Sequence, residues 1–255
     1  MANVVVLTAT ITPPAGVPHL KRLDPAQRLG DYCKALTFYC RVTRPDGGRI
    51  VFAENSSSDL SALRKVANDE GAGQRVEFVS FAGLDHPSSY GRGYGEFKLL
   101  DYVYDHSNTV ATMAQGERMW KATGRYSVLN LQKLIATAPG EFDLYCDTRK
   151  WPIPWMDLRV FGCTRAGYRK YLFGVYEQLR EDLINMSPEK YLYPLTEKWA
   201  ADPRVIVRLN TEPRIDGIRG MDQQNYDAGK NRLKYWGRMV DRQLIQPLRE
   251  KLGLK

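Results

Sequence analysis

The chain has 255 residues, 43% hydrophobic and 26% charged, a balance that fits a globular protein with one sizeable core and excludes a low-complexity chain. No apolar run reaches the roughly 20 residues that span a bilayer, and four cysteines without Cys-x-x-Cys spacing, beside three histidines, argue against a structural zinc site or a disulfide framework. The 37 basic against 29 acidic residues leave a net charge of +8, which points to anionic partners: nucleotides, phospholipid headgroups, nucleic acid or acidic glycans.

The opening Met1-Ala2-Asn3-Val4-Val5-Val6-Leu7 lacks the basic segment and cleavage site of a signal peptide, so it reads as a first strand, and a cytoplasmic location is expected. Residues 4–11 form a nearly continuous β-branched run, the pattern of a strand covered on both faces in a parallel sheet. After a Pro-rich break at 12–18, residues 25–42 follow a helical period. Leu29, Cys33, Leu36 and Cys40 face inward in this reading, with Arg28, Asp31 and Lys34 outward. Pro45-Asp46-Gly47-Gly48 is a turn, 49–54 a second strand, and 55–59 a small polar loop suited to capping the helix expected over 60–70. A third strand follows at 75–81.

Next comes Gly91-Arg92-Gly93-Tyr94-Gly95-Glu96-Phe97-Lys98, read as a glycine-rich loop opening into a helix that runs to about His106. Glycines at that density let backbone N–H groups turn toward a ligand, and a helix start with Arg92 and Lys98 adds positive charge, the chemistry of a phosphate site. The alternation of strands and helices predicts an α/β fold, an open and mostly parallel twisted sheet with helices on both faces. Ligands of such sheets bind outside the carboxyl ends of the strands, where Thr8 and Thr10, the segment from Glu54 to Asp59, and the glycine run all fall.

Beyond residue 107 the pattern loosens. A strand from Met119 leads into a tight turn at Thr123-Gly124-Arg125-Tyr126, a helix begins at Asn130, and 142–147 is another strand. Residues 148–155 form an irregular, aromatic loop with Trp151, Pro152, Pro154 and Trp155, a stacking platform for sugar rings or part of the core. A short antiparallel strand at 157–162 and one helix over 165–185 close a first unit, 1–185. A mainly helical extension, 186–255, follows, with a strand at 204–209, a loop at 213–220 and a long amphipathic helix from Lys230 to Leu252.

The order of strand, Glu54-Asn55-Ser56-Ser57-Ser58-Asp59, strand, glycine run and helix resembles the nucleotide-binding half of GT-A-type glycosyltransferases, and more loosely small bacterial transferases of capsule or lipopolysaccharide assembly. The resemblance covers roughly 3–165. It implies a nucleotide-sugar donor, UDP- or CMP-linked, held by Thr8, Thr10, Glu54, Asn55, Ser56, Asp59, Arg92, Gly93, Tyr94, Gly95, Lys98, Thr123, Gly124 and Tyr126, and a glycan or lipid-linked acceptor. Most such enzymes hold a divalent metal on an Asp-x-Asp triad. This chain has none, and Thr123-Gly124-Arg125-Tyr126 stands where the triad is expected. No metal and no other cofactor are therefore expected. Arg125, helped by Arg92 or Lys98 and a tyrosine hydroxyl, takes the metal's part in neutralising the leaving phosphate.

Transfer also needs a carboxylate to take the acceptor's proton. Asp147 and Asp216 are the expected bases, with Asp157 and Asp222 as further carboxylates, while Glu54 and Glu96 suit the orientation of ribose or backbone. The terminal helix carries Lys230, Arg232, Lys234, Arg238, Arg242, Arg249, Lys251 and nearby Lys255, with an apolar side of Leu233, Tyr235, Trp236, Met239, Val240, Leu244 and Leu248. It is read either as packed on the core with a solvated basic face or as lying on an anionic membrane surface. Two other readings stay open: a nucleotidyltransferase acting on sugar phosphates, and a basic nucleic-acid-binding module. No nucleic-acid motif supports the second, so nucleic acid is not an expected partner.

Overall fold

The computed structural model describes residues 3–151, 153–245 and 248, without the side chains at 230, 234, 243 and 244. In chain order the elements begin with β1 (Asn3–Ala9), α1 (Pro25–Val42), β2 (Arg49–Glu54), α2 (Ser61–Asp69), β3 (Val76–Ser80), α3 (Gly91–His106) and α4 (Asn108–Ala111). They continue with β4 (Arg118–Thr123), β5 (Ser127–Val128), α5 (Leu131–Ala136), β6 (Leu144–Tyr145), β7 (Thr148–Arg149), β8 (Trp155–Met156) and β9 (Val160–Cys163). The last are α6 (Arg165–Gly167), α7 (Glu181–Ile184), α8 (Pro188–Trp199), β10 (Val205–Ile206), β11 (Ile215–Asp216) and α9 (Gly229–Val240).

The central sheet has the order β10-β6-β9-β4-β1-β2-β3. Its pairs are parallel except those made by β9, which runs antiparallel to both β4 and β6. This is the expected open α/β sheet. The segment after residue 186 adds β10 to its edge. Alternation along β1 divides the core: Val5, Leu7 and Ala9 pack with α1, α2 and α5, while Val4 and Val6 pack with α3 and Leu192 of α8. Because β2 and β4 flank β1 on opposite sides, the chain reverses its winding between β1 and β4, and a crevice opens at their carboxyl ends.

Local sequence explains α1 well. Asp24 accepts hydrogen bonds from the N–H groups of Ala26 (2.8 Å) and Gln27 (3.3 Å), and Pro25 fills the first helical position. Its inward stripe is turned by about one residue from the expected one. Tyr32, Ala35, Leu36, Tyr39 and Cys40 are buried, and so is Arg28, which does not face outward. The cause is the loop after β1, whose Thr10 carbonyl accepts from Arg28 Nε at 2.7 Å.

The glycine run is not a loop. It forms the first turns of α3, with Gly91, Gly93 and Gly95 all buried. A Cβ at Gly93 would stand 2.5 Å from Pro188 Cβ, and one at Gly91, where φ is +83°, would strike the Glu181 side chain. These glycines let α3 press against α7 and α8, and that packing overrides their poor helix propensity.

Three further expectations are corrected. Residues 148–155 hold a short hairpin, β7 paired antiparallel with β8. The single helix expected over 165–185 is broken into short turns, because Gly174 takes a left-handed conformation (φ +79°) after an extended Phe173. Within 213–220 lies β11, paired antiparallel with β5.

The terminal helix also differs from expectation. In α9 and the turn after it, Arg238 and Arg242 point inward to Glu212 and Asp147, while Leu233 (72% exposed), Trp236 (46%) and Val240 are outward. Buried carboxylates need cationic partners, and those partners set the rotation of the helix. The expected run to Leu252 with Arg249, Lys251 and Lys255, the side chains of Lys230, Lys234 and Leu244, and Pro152 lie outside the described residues.

Candidate functional site

The loops after β1 and β2 and the start of α3 meet as expected, through side chains that tie them together. Glu54, fully buried, accepts from the backbone N–H groups of Ile11 (3.0 Å), Ser56 (2.9 Å) and Ser58 (3.3 Å). Thr10 Oγ1 donates to Asn55 Oδ1 at 2.7 Å, and Asn55 Nδ2 donates to the Gly95 carbonyl at 3.3 Å. Above them an inner chamber of about 170 Å³ opens over the β1–β4 crevice.

Of the residues expected to hold a donor, Thr8, Thr10, Asn55, Arg92, Gly95, Thr123 and Tyr126 line this chamber, and Arg125 lines it too. Its floor is a charged network. Thr8 Oγ1 donates to Glu96 (2.8 Å), and Glu96 pairs with the buried Lys121 (2.6 Å), whose ammonium also donates to Thr123 Oγ1 (3.2 Å).

Other expected residues have structural work elsewhere. Glu54 is spent on the loop it holds, as is Ser56, which takes the Thr12 N–H. Asp59 accepts from the N–H and hydroxyl of Ser61 at the start of α2, and those hydrogen bonds hold its carboxyl below the usual range. Gly93 packs on Pro188, and the Tyr94 ring lies among His86, Tyr90 and Tyr176, 4.6–5.1 Å between centroids. Lys98 is drawn away to Asp85. Gly124 lets the turn after β4 sit against β1, its N–H donating to the Thr8 carbonyl at 2.9 Å.

Positive charge collects behind the inner chamber. Arg28 (5% exposed) spends its donors on neutral oxygens: Thr10 carbonyl, Arg22 carbonyl (3.1 Å) and the Tyr32 hydroxyl (3.2 Å). Arg125 (8% exposed) donates to the Ile218 carbonyl at 3.2 Å and stands 3.7 Å from Asp31, a carboxylate already gripped by Arg22 at 2.6 and 2.9 Å. Burial, with Arg125 close by, pushes the Arg28 guanidinium below its ordinary pKa. Arg92 joins the same wall, its buried Nε without a hydrogen-bond partner among the described residues. Fixed guanidiniums of this kind suit a phosphate or diphosphate.

An outer chamber of about 300 Å³ adjoins the first. Arg92, Tyr126, Leu158, Arg159, Glu189 and Tyr226 line both, and form the waist between them. Trp155 faces the outer chamber, whereas Trp151 stands exposed on the β7–β8 hairpin.

The expected bases are not at the waist. Asp216 pairs with Lys34 (3.2 Å) beside Asn225 and lines neither chamber. Asp147 is buried behind the outer chamber, bound by Arg242 at 2.6 Å, and its burial pushes its pKa up. Asp157 does line the outer chamber. Burial opposes its charge, yet the Arg159 guanidinium gripping both its oxygens keeps its carboxyl well below the usual range. Glu189, in the first turn of α8, is different: it lines both chambers and makes no hydrogen bond or ion pair among the described residues. Nothing in the sequence around it, a Ser-Pro-Glu helix start, marks it for this place.

Among the described residues no three His, Cys, Asp or Glu side chains converge as metal ligands. The turn at Thr123–Tyr126 offers a guanidinium where a divalent ion needs carboxylates.

No family model matches the chain, and no curated protein matches its sequence. Solved structures similar to it in fold include the galactosyltransferase LgtC in complex with donor and acceptor sugar analogs, at TM-score 0.47 and 13% identity over 73% of this chain and 67% of that one. The glycosyltransferase GlyE of Streptococcus pneumoniae TIGR4 is similar at TM-score 0.47 and 8% identity, over 79% of this chain and 44% of that one. A protein of Desulfovibrio desulfuricans G20, provisionally named a nucleotide-diphospho-sugar transferase, gives 0.45 and 12% over 82% and 80%. At such scores and identities the likeness has no weight for which side chains act.

Proposed function

We propose that the protein is a glycosyltransferase that moves a sugar from a nucleotide-activated donor, a UDP- or CMP-sugar, to a glycan or lipid-linked acceptor of surface polysaccharide, without a divalent metal. One observation carries the reading. Arg28 and Arg125 bring buried charge to the β1–β4 crevice, the only carboxylate within ion-pair range of either among the described residues is one Arg22 already holds, and Arg92 shares the same wall. An anionic phosphate or diphosphate in the inner chamber answers that imbalance.

The donor's sugar then lies at the waist and the acceptor in the outer chamber. Glu189 takes the proton of the acceptor hydroxyl as its oxygen bonds to the anomeric carbon. The bond from that carbon to the donor's phosphate oxygen breaks, and the nucleotide (UDP or CMP) leaves with the electron pair, its added charge met by Arg92 and Arg125. The outward stripe of Leu233, Trp236 and Val240 on a chain of net charge +8 supports a peripheral seat on an anionic membrane at the cytoplasmic face. Among the described residues no helix is long and apolar enough to cross a membrane.

Thermal-shift measurements with UDP- and CMP-sugars and nucleoside triphosphates, with and without EDTA, test the reading. A nucleotide sugar raises the melting temperature and EDTA leaves the shift intact. A shift confined to nucleoside triphosphates with Mg²⁺ would replace it with nucleotidyl transfer.

A further inference from the structure

Along and behind one wall of the outer chamber, guanidiniums outnumber the carboxylates they pair with, and the waist carboxylate Glu189 pairs with none of them. Glu212, fully buried, is shared by Arg242 (2.8 Å), Arg238 (3.2 Å) and Arg149 (3.3 Å). Arg242 also holds Asp147 (2.6 Å), and Arg149 reaches Asp147 (3.6 Å) and Asp157 (3.9 Å), which Arg159 already occupies. Four guanidiniums thus share three carboxylates, and one of those three, Asp147, has a buried Oδ1 without a partner among the described residues. Arg214 and Arg219 on the same wall are each balanced separately, by Asp227 (2.8 Å) and Asp222 (3.4 Å).

The surplus surfaces at Arg238. It lines the chamber, yet its guanidinium makes a single hydrogen bond among the described residues, from Nη1 to Glu212. Burial, and then the nearby Arg149, lower its pKa, as expected for a cation crowded by cations. The same chamber is lined by the aromatic rings of Trp155, Tyr226 and Tyr235, faces on which a sugar ring stacks.

We propose that the outer chamber is a subsite for an acceptor sugar that carries an anionic group, a carboxylate or a phosphate, with Arg238 as its principal ligand. The word acceptor rests on the glycosyltransferase reading; the anion subsite itself does not. A neutral acceptor would leave the Arg238 donors facing water in the chamber, whereas an anion satisfies them with charge-assisted bonds.

Binding of inorganic phosphate, followed by thermal shift at ionic strength held constant with sodium chloride, tests the subsite on the full chain. Phosphate stabilises the wild type, and Arg238→Gln weakens its apparent affinity about tenfold while leaving any nucleotide-sugar shift unchanged. Phosphate bound in the inner chamber contributes equally to both proteins and cancels in the comparison. Should Arg238→Gln be poorly folded, ³¹P line-broadening on the wild type gives the second arm: glucuronate and glucose 6-phosphate displace phosphate, and glucose does not. Equal binding by wild type and variant, an effect matched by chloride, or equal displacement by glucose overturns the subsite. Loss of nucleotide-sugar binding with phosphate binding intact would sink the donor reading and leave this one standing.

Discussion

Gly93→Ala separates a packing role for the glycine run from a ligand-holding one. The added methyl would lie 2.5 and 2.7 Å from Pro188 Cβ and Cγ, a rigid ring at the start of α8 that cannot rotate aside. Overpacking of that kind costs about 1–3 kcal/mol, and the better helix propensity of alanine returns roughly 0.5–1 kcal/mol. The net loss is on the order of 1–2 kcal/mol, a fall of about 2–8 °C in melting temperature for a chain of this size. Gly95→Ala is the paired control, since its methyl meets only His86 and Asn55 atoms at 3.6–3.7 Å, ordinary contact. It keeps the propensity gain and leaves stability unchanged or raised by up to roughly 1 kcal/mol. Because Pro188 precedes Glu189, Gly93→Ala also displaces the waist carboxylate and slows transfer. Urea melts of the two variants and the wild type decide the matter: equal stability for all three would refute the claim that the first turns of α3 are built for close approach to α8.

Glu189→Gln keeps the shape of the waist and removes its free carboxylate; kcat falls about 10²- to 10⁴-fold with donor affinity and melting temperature unchanged, and a rate within tenfold of wild type would move the base elsewhere. Asp101 titrates at a different place in the fold. On the buried face of α3, it accepts from the Tyr168 hydroxyl (2.6 Å) and the Gly174 N–H (2.7 Å), and burial pushes its pKa up to about 6. The folded state therefore binds the proton more tightly than the unfolded chain, so this group's contribution is fully present below about pH 4 and is lost as pH rises through 6, on the order of 1–3 kcal/mol. Urea melts of wild type against Asp101→Asn between pH 4 and 7 read that window; parallel curves would contradict the shift.

The parts of the fold legible in the sequence are those fixed locally. Asp24 and Pro25 set the start of α1, the β-branched run marks β1, and alternating strands and helices give the open sheet whose carboxyl edge gathers Thr8, Thr10, Asn55 and Arg125. What escaped depends on partners far along the chain. Gly93 is helical because Pro188 lies against it, and Lys98 leaves the site because Asp85 holds it. Arg238 of α9 and Arg242 in the turn after it point inward because Glu212 and Asp147 are buried beneath them. Arg28 belongs to the site because a loop carbonyl from β1 turns its guanidinium inward, and helical periodicity does not encode that contact. The same limit applies to Glu189, which is distinguished by having no side-chain partner among the described residues.

The central claim is that protein cations alone hold the donor's phosphate or diphosphate. Isothermal titration of the nucleotide sugar that gives the largest thermal shift, in EDTA, against wild type and Arg125→Gln tests it most directly. Loss of one charge-assisted contact of about 1.5–3 kcal/mol predicts a dissociation constant raised roughly 10- to 150-fold in a folded variant. Unchanged affinity in the variant, or wild-type binding that appears only when Mn²⁺ or Mg²⁺ is restored, would contradict it.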